Sequence, residues 1–218
     1  VRVIRIGNGG PSRARNVGTE AASGEFLQYL DADDKLAPGK IQIQLTALEQ
    51  SHADVAYGGW QILIETPDGQ QTLGKENHRQ LGDNPEAVLL TSHFWCPPAT
   101  YLFRRSMVEK IGGWNETLPI VQDARFVMDC ALYDGQFTFC LGIMAYYRIH
   151  SGPSVSRCNH AAFLQDCLRN AEQLEIWWRA RGGLNDIRVH GLMDIYQQVA
   201  RGSYREDMPT YMQAYDAL

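Results

Sequence analysis

Three carboxylates fall within four residues at Asp31-Ala32-Asp33-Asp34, directly after the mostly apolar run Phe26-Leu27-Gln28-Tyr29-Leu30. Like charges packed this closely repel one another unless a cation lies between them. Mg2+ and Mn2+ take oxygen ligands and commonly share them with substrate phosphates. The residue types therefore point to a metal–phosphate site, with a solvated acidic loop ahead of Pro38 as the plainer alternative. Further along, Tyr147-Arg148-Ile149-His150 alternates, so on a strand Arg148 and His150 share one face. A neutral imidazole suits a metal or a diphosphate, and a guanidinium suits phosphate oxygens. Ser154 and Ser156 follow in a Gly-Pro loop able to close over a ligand. Arg15 stands in the first turn of an expected helix, where it either reaches a nucleotide or faces solvent. The aromatic loop His93-Phe94-Trp95-Cys96-Pro97-Pro98, and Trp114 after Gly112-Gly113, offer ring faces to a sugar. Burial in the core is the alternative for both, and is favoured for Trp95.

These groups need a scaffold to bring them together. Val1 to Ile6 alternates apolar and basic residues and reads as a strand, and Asn8-Gly9-Gly10-Pro11 is a turn. Ser12 is the expected N-cap of a helix carrying Ala14, Val17, Gly18 and Ala21, which Gly24 can stop. Phe26 to Leu30 reads as a buried strand. A helix from Pro38 puts Ile41, Leu45 and Leu48 on one face, and Asp54 to Ile64 forms one or two strands broken near Gly58-Gly59. Strands alternating with helices in this way predict an α/β sheet with parallel strands. In such sheets ligands bind at the carboxyl ends of the strands, where the acidic cluster lies. Pro67-Asp68-Gly69 marks a turn and Gly74 to Asn84 a polar loop. Helices are expected over Pro85–Thr91, Arg105–Ile111 and Gln122–Tyr133, the last turning Phe126, Cys130 and Tyr133 inward. Strands are expected over Ala99–Phe103, Phe137–Cys140 and Met144–Ile149. From Asn159 onward Leu164, Leu168, Ala171, Leu174 and Trp178, then Leu192, Ile195, Tyr196 and Val199, keep helical spacing. The chain thus divides into an α/β domain over 1–157 and a helical extension over 158–218 packed on it.

Composition narrows the function classes. A net charge of −5 over 218 residues argues against a general nucleic-acid binder. No run of 18 apolar residues exists to span a membrane. No signal peptide is visible, and the sequence begins at Val1 rather than Met. Cys96, Cys130, Cys140, Cys158 and Cys167 are odd in number and form no CxxC pair. A disulfide framework or zinc site is therefore disfavoured and a reducing cytoplasm favoured, with attachment at the inner face of the membrane as a variant. Cys130 and Cys140, in apolar surroundings, are expected in the core.

Four features now fall in order: Asn8-x-Gly10 followed by Ala14-Arg15-Asn16-x-Gly18; Gly24-Glu25 before the strand that ends in Asp31-x-Asp33-Asp34; Gln122-Asp123 at a helix start; and Tyr147-Arg148-Ile149-His150 followed by Ser154 and Ser156. The ordered set, over roughly residues 1 to 157, resembles the inverting family 2 glycosyltransferases of the GT-A fold. The resemblance implies a Rossmann-like, mostly parallel sheet flanked by helices, here with a C-terminal helical extension. It implies Mn2+ or Mg2+ and a UDP-, GDP- or dTDP-sugar donor. The acceptor would be a hydroxyl on a glycan, a lipid-linked saccharide or another compound. Asp33 matches the metal ligand of the DxD motif, with Asp34 as backup and His150 as a further candidate. Asp31, Arg15, Arg148, His150 and Ser154 fall on the donor side. Asp123 matches the general base, with Gln122, Trp114 and Trp95 on the acceptor side; the alternative for Asp123 is a carboxylate stabilised by the helix dipole. The family's preceding strand–helix unit, with its acidic residue for the nucleotide base, has no counterpart. Its absence, roughly fifty residues on the scale of one βαβ unit, makes the donor pocket incomplete unless further chain or a partner supplies it.

A second reading is a truncated or degenerate fold that binds or assembles through its helical tail, the expected surface for any homo-oligomer. A third, a phosphatase with Asp31 as nucleophile, is weakened by Lys35-Leu36 where that motif needs Thr or Val.

Overall fold

The computed structural model describes residues 2–91, 94–149 and 159–218. Residues 2–9 form no helix and pair with no described strand, and Val3 is 78% exposed. The strand expected over Val1–Ile6 is therefore not formed there, since a strand needs a neighbour to take its N–H and C=O groups. Helix α1 (Gly10–Ala21) starts after Gly9. Ser12 lies inside it and is buried, so it is not the N-cap.

Strand β1 (Phe26–Leu27) is shorter than the expected Phe26–Leu30, because its partner β5 (Leu102–Arg104) meets it antiparallel over two residues only. Strand β2 (Lys35–Leu36) follows the acidic turn. Helix α2 (Lys40–Ser51) buries Lys40, Gln44 and Leu48, whereas Ile41 is 38% exposed. The polar stripe is drawn inward by two carbonyls: Lys40 Nζ donates to Tyr101 O at 2.8 Å and Gln44 Nε2 to Thr100 O at 2.7 Å. Strand β3 (Val55–Glu65) is continuous, and it turns at Pro67-Asp68-Gly69 into β4 (Gln71–Asn77), which takes part of the expected polar loop. After α3 (Pro85–Thr91), a single 3-10 turn (Pro98–Thr100) leads into β5. Then come α4 (Arg105–Lys110), α5 (Gln122–Leu132) and β6 (Phe137–Ile149), one strand where two were expected.

The sheet order is β1-β5-β3-β6-β2, with β4 also on β3. Its longest ladder, β3 with β6, is parallel, as the α/β pattern requires; the shorter ladders are antiparallel. The β3–β6 register shifts around Gly58 and Gly59, where the strands come too close for side chains. A Cβ on Gly58 would lie 2.5 Å from Met144 Cγ and 2.7 Å from Cys140 O.

The main core packs Leu27, Tyr29, Tyr57, Tyr101, Phe103, Trp114 and Phe126 between sheet and helices. Helices α6 (His160–Ala180), α7 (Asp186–Ser203) and α8 (Met208–Asp216) share a second core with Leu90 of α3 and with Met128 and Leu132 of α5. Among the described residues no helix is long and apolar enough to cross a membrane. Cys96, Cys130 and Cys140 are buried and unbridged.

Candidate active site

The chain leaves β1, passes Tyr29 and turns at Asp31–Asp34, where the Asp34 amide donates to Asp31 O at 3.1 Å. A cleft of about 490 Å3 opens between α1 and this segment, with Arg15, Tyr29 and Asp31 in its wall. Arg15 projects from α1 across it and pairs with Asp31 Oδ1 at 2.5 Å. Its guanidinium lies 4.4 Å from the centre of the Trp114 ring. Phe126 stacks on that ring at 3.9 Å and Tyr29 meets it edge-on at 4.9 Å. Trp114 is 3% exposed, so its ring is taken up in holding Arg15 rather than offered to an acceptor, which corrects the expectation for that residue. Arg15 Nη1 is buried without a hydrogen-bond partner among the described residues.

Beyond Asp31 the turn is clamped by Arg148 from the end of β6. The Arg148 amide donates to Asp34 Oδ1 at 3.1 Å, and its Nε donates to Asp33 O at 2.7 Å. Its Nη1 donates to the Glu65 carboxylate at 3.2–3.3 Å. The guanidinium expected on the donor phosphates is thus turned onto the protein's own acidic turn. Asp34 is 8% exposed, and its Oδ2 is buried with no partner among the described residues. Burial pushes its carboxyl up to about 7, against the pull of the Arg148 amide, and neighbouring Asp31 and Asp33 add to the rise. Among the described residues no three His, Cys, Asp or Glu side chains cluster as a complete metal site. A hard divalent cation bound with a phosphate ligand needs only one or two carboxylates from the protein. The half-buried Asp33 and the orphan Oδ2 of Asp34 fit that requirement.

Asp123 sits in the first turn of α5, with a carboxylate oxygen held on each side. Trp95 Nε1 donates to Oδ2 at 2.8 Å, and the Ala124 amide donates to Oδ1 at 2.8 Å. Burial raises its pKa, which the Trp95 and Ala124 donors and then Arg15 hold back, while Asp31 adds to the rise. Arg15 and Asp31, in the wall of the cleft, both act on the Asp123 charge. Gln122, beside it, is buried, and its Oε1 has no partner among the described residues. Trp95 is half-buried, and its ring meets Trp60 edge-on at 5.5 Å and Tyr147 at 5.3 Å. His93, His150, Ser154 and Ser156 lie outside the described residues. Sequence reasoning missed Trp60 and Glu65. Both stand on β3, and only the β3–β6 register brings them beside Tyr147 and Arg148.

Comparison with known proteins bears on the family and the fold. The chain is 29% identical over 159 residues to an uncharacterized glycosyltransferase of Nostoc sp., covering 69% of this chain and 47% of that protein. It is 37% identical over 135 residues to the uncharacterized glycosyltransferase EpsJ of Bacillus subtilis, covering 58% of this chain and 38% of that protein. The chain thus spans half or less of the length of these curated relatives. Among solved structures, S. aureus TarS 1–349 in complex with UDP-GlcNAc superposes with a TM-score of 0.63 at 17% identity, over 97% of this chain and 61% of that one. A mannosyltransferase from Pyrobaculum calidifontis in complex with GDP-Man and Mn2+ superposes with a TM-score of 0.52 at 14% identity, over 95% and 54%. These matches give the GT-A fold. The sequence model of glycosyl transferase family 2 matches residues 1–112, from the exposed N-terminal segment through α1 and the acidic turn to the end of α4, and the chain belongs to that family.

Proposed function

We propose that this chain carries the catalytic core of an inverting glycosyltransferase that moves a sugar from a nucleoside diphosphate sugar to an acceptor hydroxyl. The observation that carries the reading is Asp123: a half-buried carboxylate in the first turn of α5, held by Trp95 Nε1 and the Ala124 amide, whose charge is coupled to the Arg15–Asp31 pair that walls the cleft. A base works best when its pKa is near the operating pH, and burial moves Asp123 in that direction. Asp123 takes the proton of the acceptor hydroxyl as that oxygen attacks the anomeric carbon. The bond from this carbon to the diphosphate oxygen breaks on the opposite face, and the nucleoside diphosphate leaves with the electron pair. Arg15, with an unpartnered buried Nη1, supplies positive charge and a donor to the diphosphate. Asp33 and Asp34 would hold a divalent cation, which when bound offsets the charge gathering on the leaving diphosphate. Arg148 keeps the acidic turn in place for that task. UDP-GlcNAc and GDP-Man, bound by the structural neighbours, are the first donors to try.

The test is Asp123→Asn in the longest available form of the protein, with these donors and a panel of glycan, lipid-linked and simple hydroxyl acceptors. Turnover should fall by about 10² or more, the scale of general-base catalysis, while donor Kd changes little. Near-normal turnover in the variant overturns the assignment of the base.

A further inference from the structure

We infer that Trp95 is the positioning residue of the Asp123 carboxylate, its indole N–H fixing, together with the Ala124 amide, the plane in which that carboxylate receives the acceptor's proton. The inference rests on the reading of Asp123 as the base. Trp95 reaches Asp123 from a different part of the chain, with its Nε1 2.8 Å from Oδ2. Its ring cannot swing freely, because Trp60 of β3 and Tyr147 of β6 meet it edge-on at 5.5 and 5.3 Å. Those two rings also meet each other edge-on at 5.9 Å. The sheet therefore sets the orientation of the indole, and the indole sets that of the carboxylate. A ring that merely filled the core would not need its N–H aimed at the single carboxylate of the α5 first turn.

The chemistry of the two donors gives the contact its consequence. An indole N–H and a backbone amide can only donate. Each therefore favours the ionised carboxylate and opposes a proton on the lone pair it occupies. With the Ala124 amide 2.8 Å from Oδ1, the carboxylate plane is pinned at both oxygens. The charged and titratable groups facing Asp123 from other elements are Arg15 of α1, Asp31 after β1 and Tyr101 before β5. Arg15 stabilises the anion, whereas Asp31 opposes it.

The experiment is a carboxyl 13C NMR titration of the protein without ligand, with the Asp123 signal assigned by its loss in Asp123→Asn. Trp95→Phe keeps an aromatic ring and removes the N–H. Its Asp123 midpoint should rise by about one pH unit, the scale of one hydrogen bond to a charged group. In the wild type, the Trp95 indole 1H–15N signal should shift with the same midpoint as the Asp123 carboxyl, a readout that does not depend on the variant folding. An unchanged or lowered midpoint in Trp95→Phe, or an indole signal that ignores the Asp123 titration, overturns the inference. If Asp123→Asn turns over normally, it is instead the assignment of the base that fails.

Discussion

Replacing Lys40 with methionine isolates one buried charge that holds the scaffold of the site. Lys40 is 1% exposed in the first turn of α2, and its ammonium has one hydrogen bond, to Tyr101 O at 2.8 Å. Burial drags its pKa from an ordinary 10.5 down to about 7, against a small opposing pull from Cys140. The unfolded chain therefore binds a proton on Lys40 at pH values where the folded chain does not, and stability rises with pH through this window. At 1.36 kcal/mol per pH unit the whole displacement costs about 5 kcal/mol once both states are protonated. Roughly half of that cost develops between pH 9 and pH 6. Lys40→Met keeps the length of the side chain and has no charge to bury. It leaves Tyr101 O without its donor, a loss of about 1 kcal/mol. Urea unfolding of both proteins at pH 9 and pH 6, followed by tryptophan fluorescence, reads the difference directly. The wild type should lose about 3 kcal/mol relative to the variant on going from pH 9 to pH 6. Comparing two proteins cancels the titration of every other group that the substitution leaves alone. A gap between the two proteins that is the same at both pH values would mean that Lys40 keeps an ordinary pKa, and the account of α2 as pinned by a neutral buried amine would fall.

Two further outcomes test the site and its frame. Asp33→Asn should abolish the gain in UDP or GDP affinity that Mn2+ confers in calorimetric titration, because an amide is a far weaker ligand for a hard cation than a carboxylate; a preserved Mn2+ effect would remove Asp33 from the metal set. Gly58→Ala should lower Tm by several degrees, since the new Cβ would press on Met144 Cγ at 2.5 Å and Cys140 O at 2.7 Å, and overpacking costs about 1–3 kcal/mol; an unchanged Tm in differential scanning calorimetry would show that the strands part easily there.

Much of the frame was legible because it is written in local signals. The helix over Pro85–Thr91 and the start of α5 at Gln122 follow from apolar spacing and terminal residues. The hairpin at Pro67-Asp68-Gly69 follows from turn chemistry, and α6 and α7 from helical stripes that need no partner to be seen. The ordered motifs led to the family, and the acidic turn drew attention to Asp31, Asp33 and Asp34 on charge alone. The sequence also suggested inward-facing Phe126 and Cys130, because burial on one helix face repeats with a fixed period.

What local signals could not carry is anything decided by pairing and by distance through space. Whether Val1–Ile6 becomes a strand depends on a neighbour, and no described strand lies beside residues 2–9. Lys40 and Gln44 look like solvent residues by type, yet two carbonyls 61 and 56 residues away draw them inside. Arg148 looked free for phosphate until the fold set it against Asp33, Asp34 and Glu65. Trp114 looked like a sugar platform until Arg15 and Phe126 occupied its ring. Trp95 and Asp123 stand 28 residues apart with nothing between them in the sequence to announce a bond. Periodicity and residue chemistry act over a few bonds of chain, so they set the elements and their candidate groups. Partnership among those groups is settled only when the sheet and helices bring distant carbonyls, rings and charges to within 3 to 6 Å, on the order of the range over which hydrogen bonds and ring contacts act.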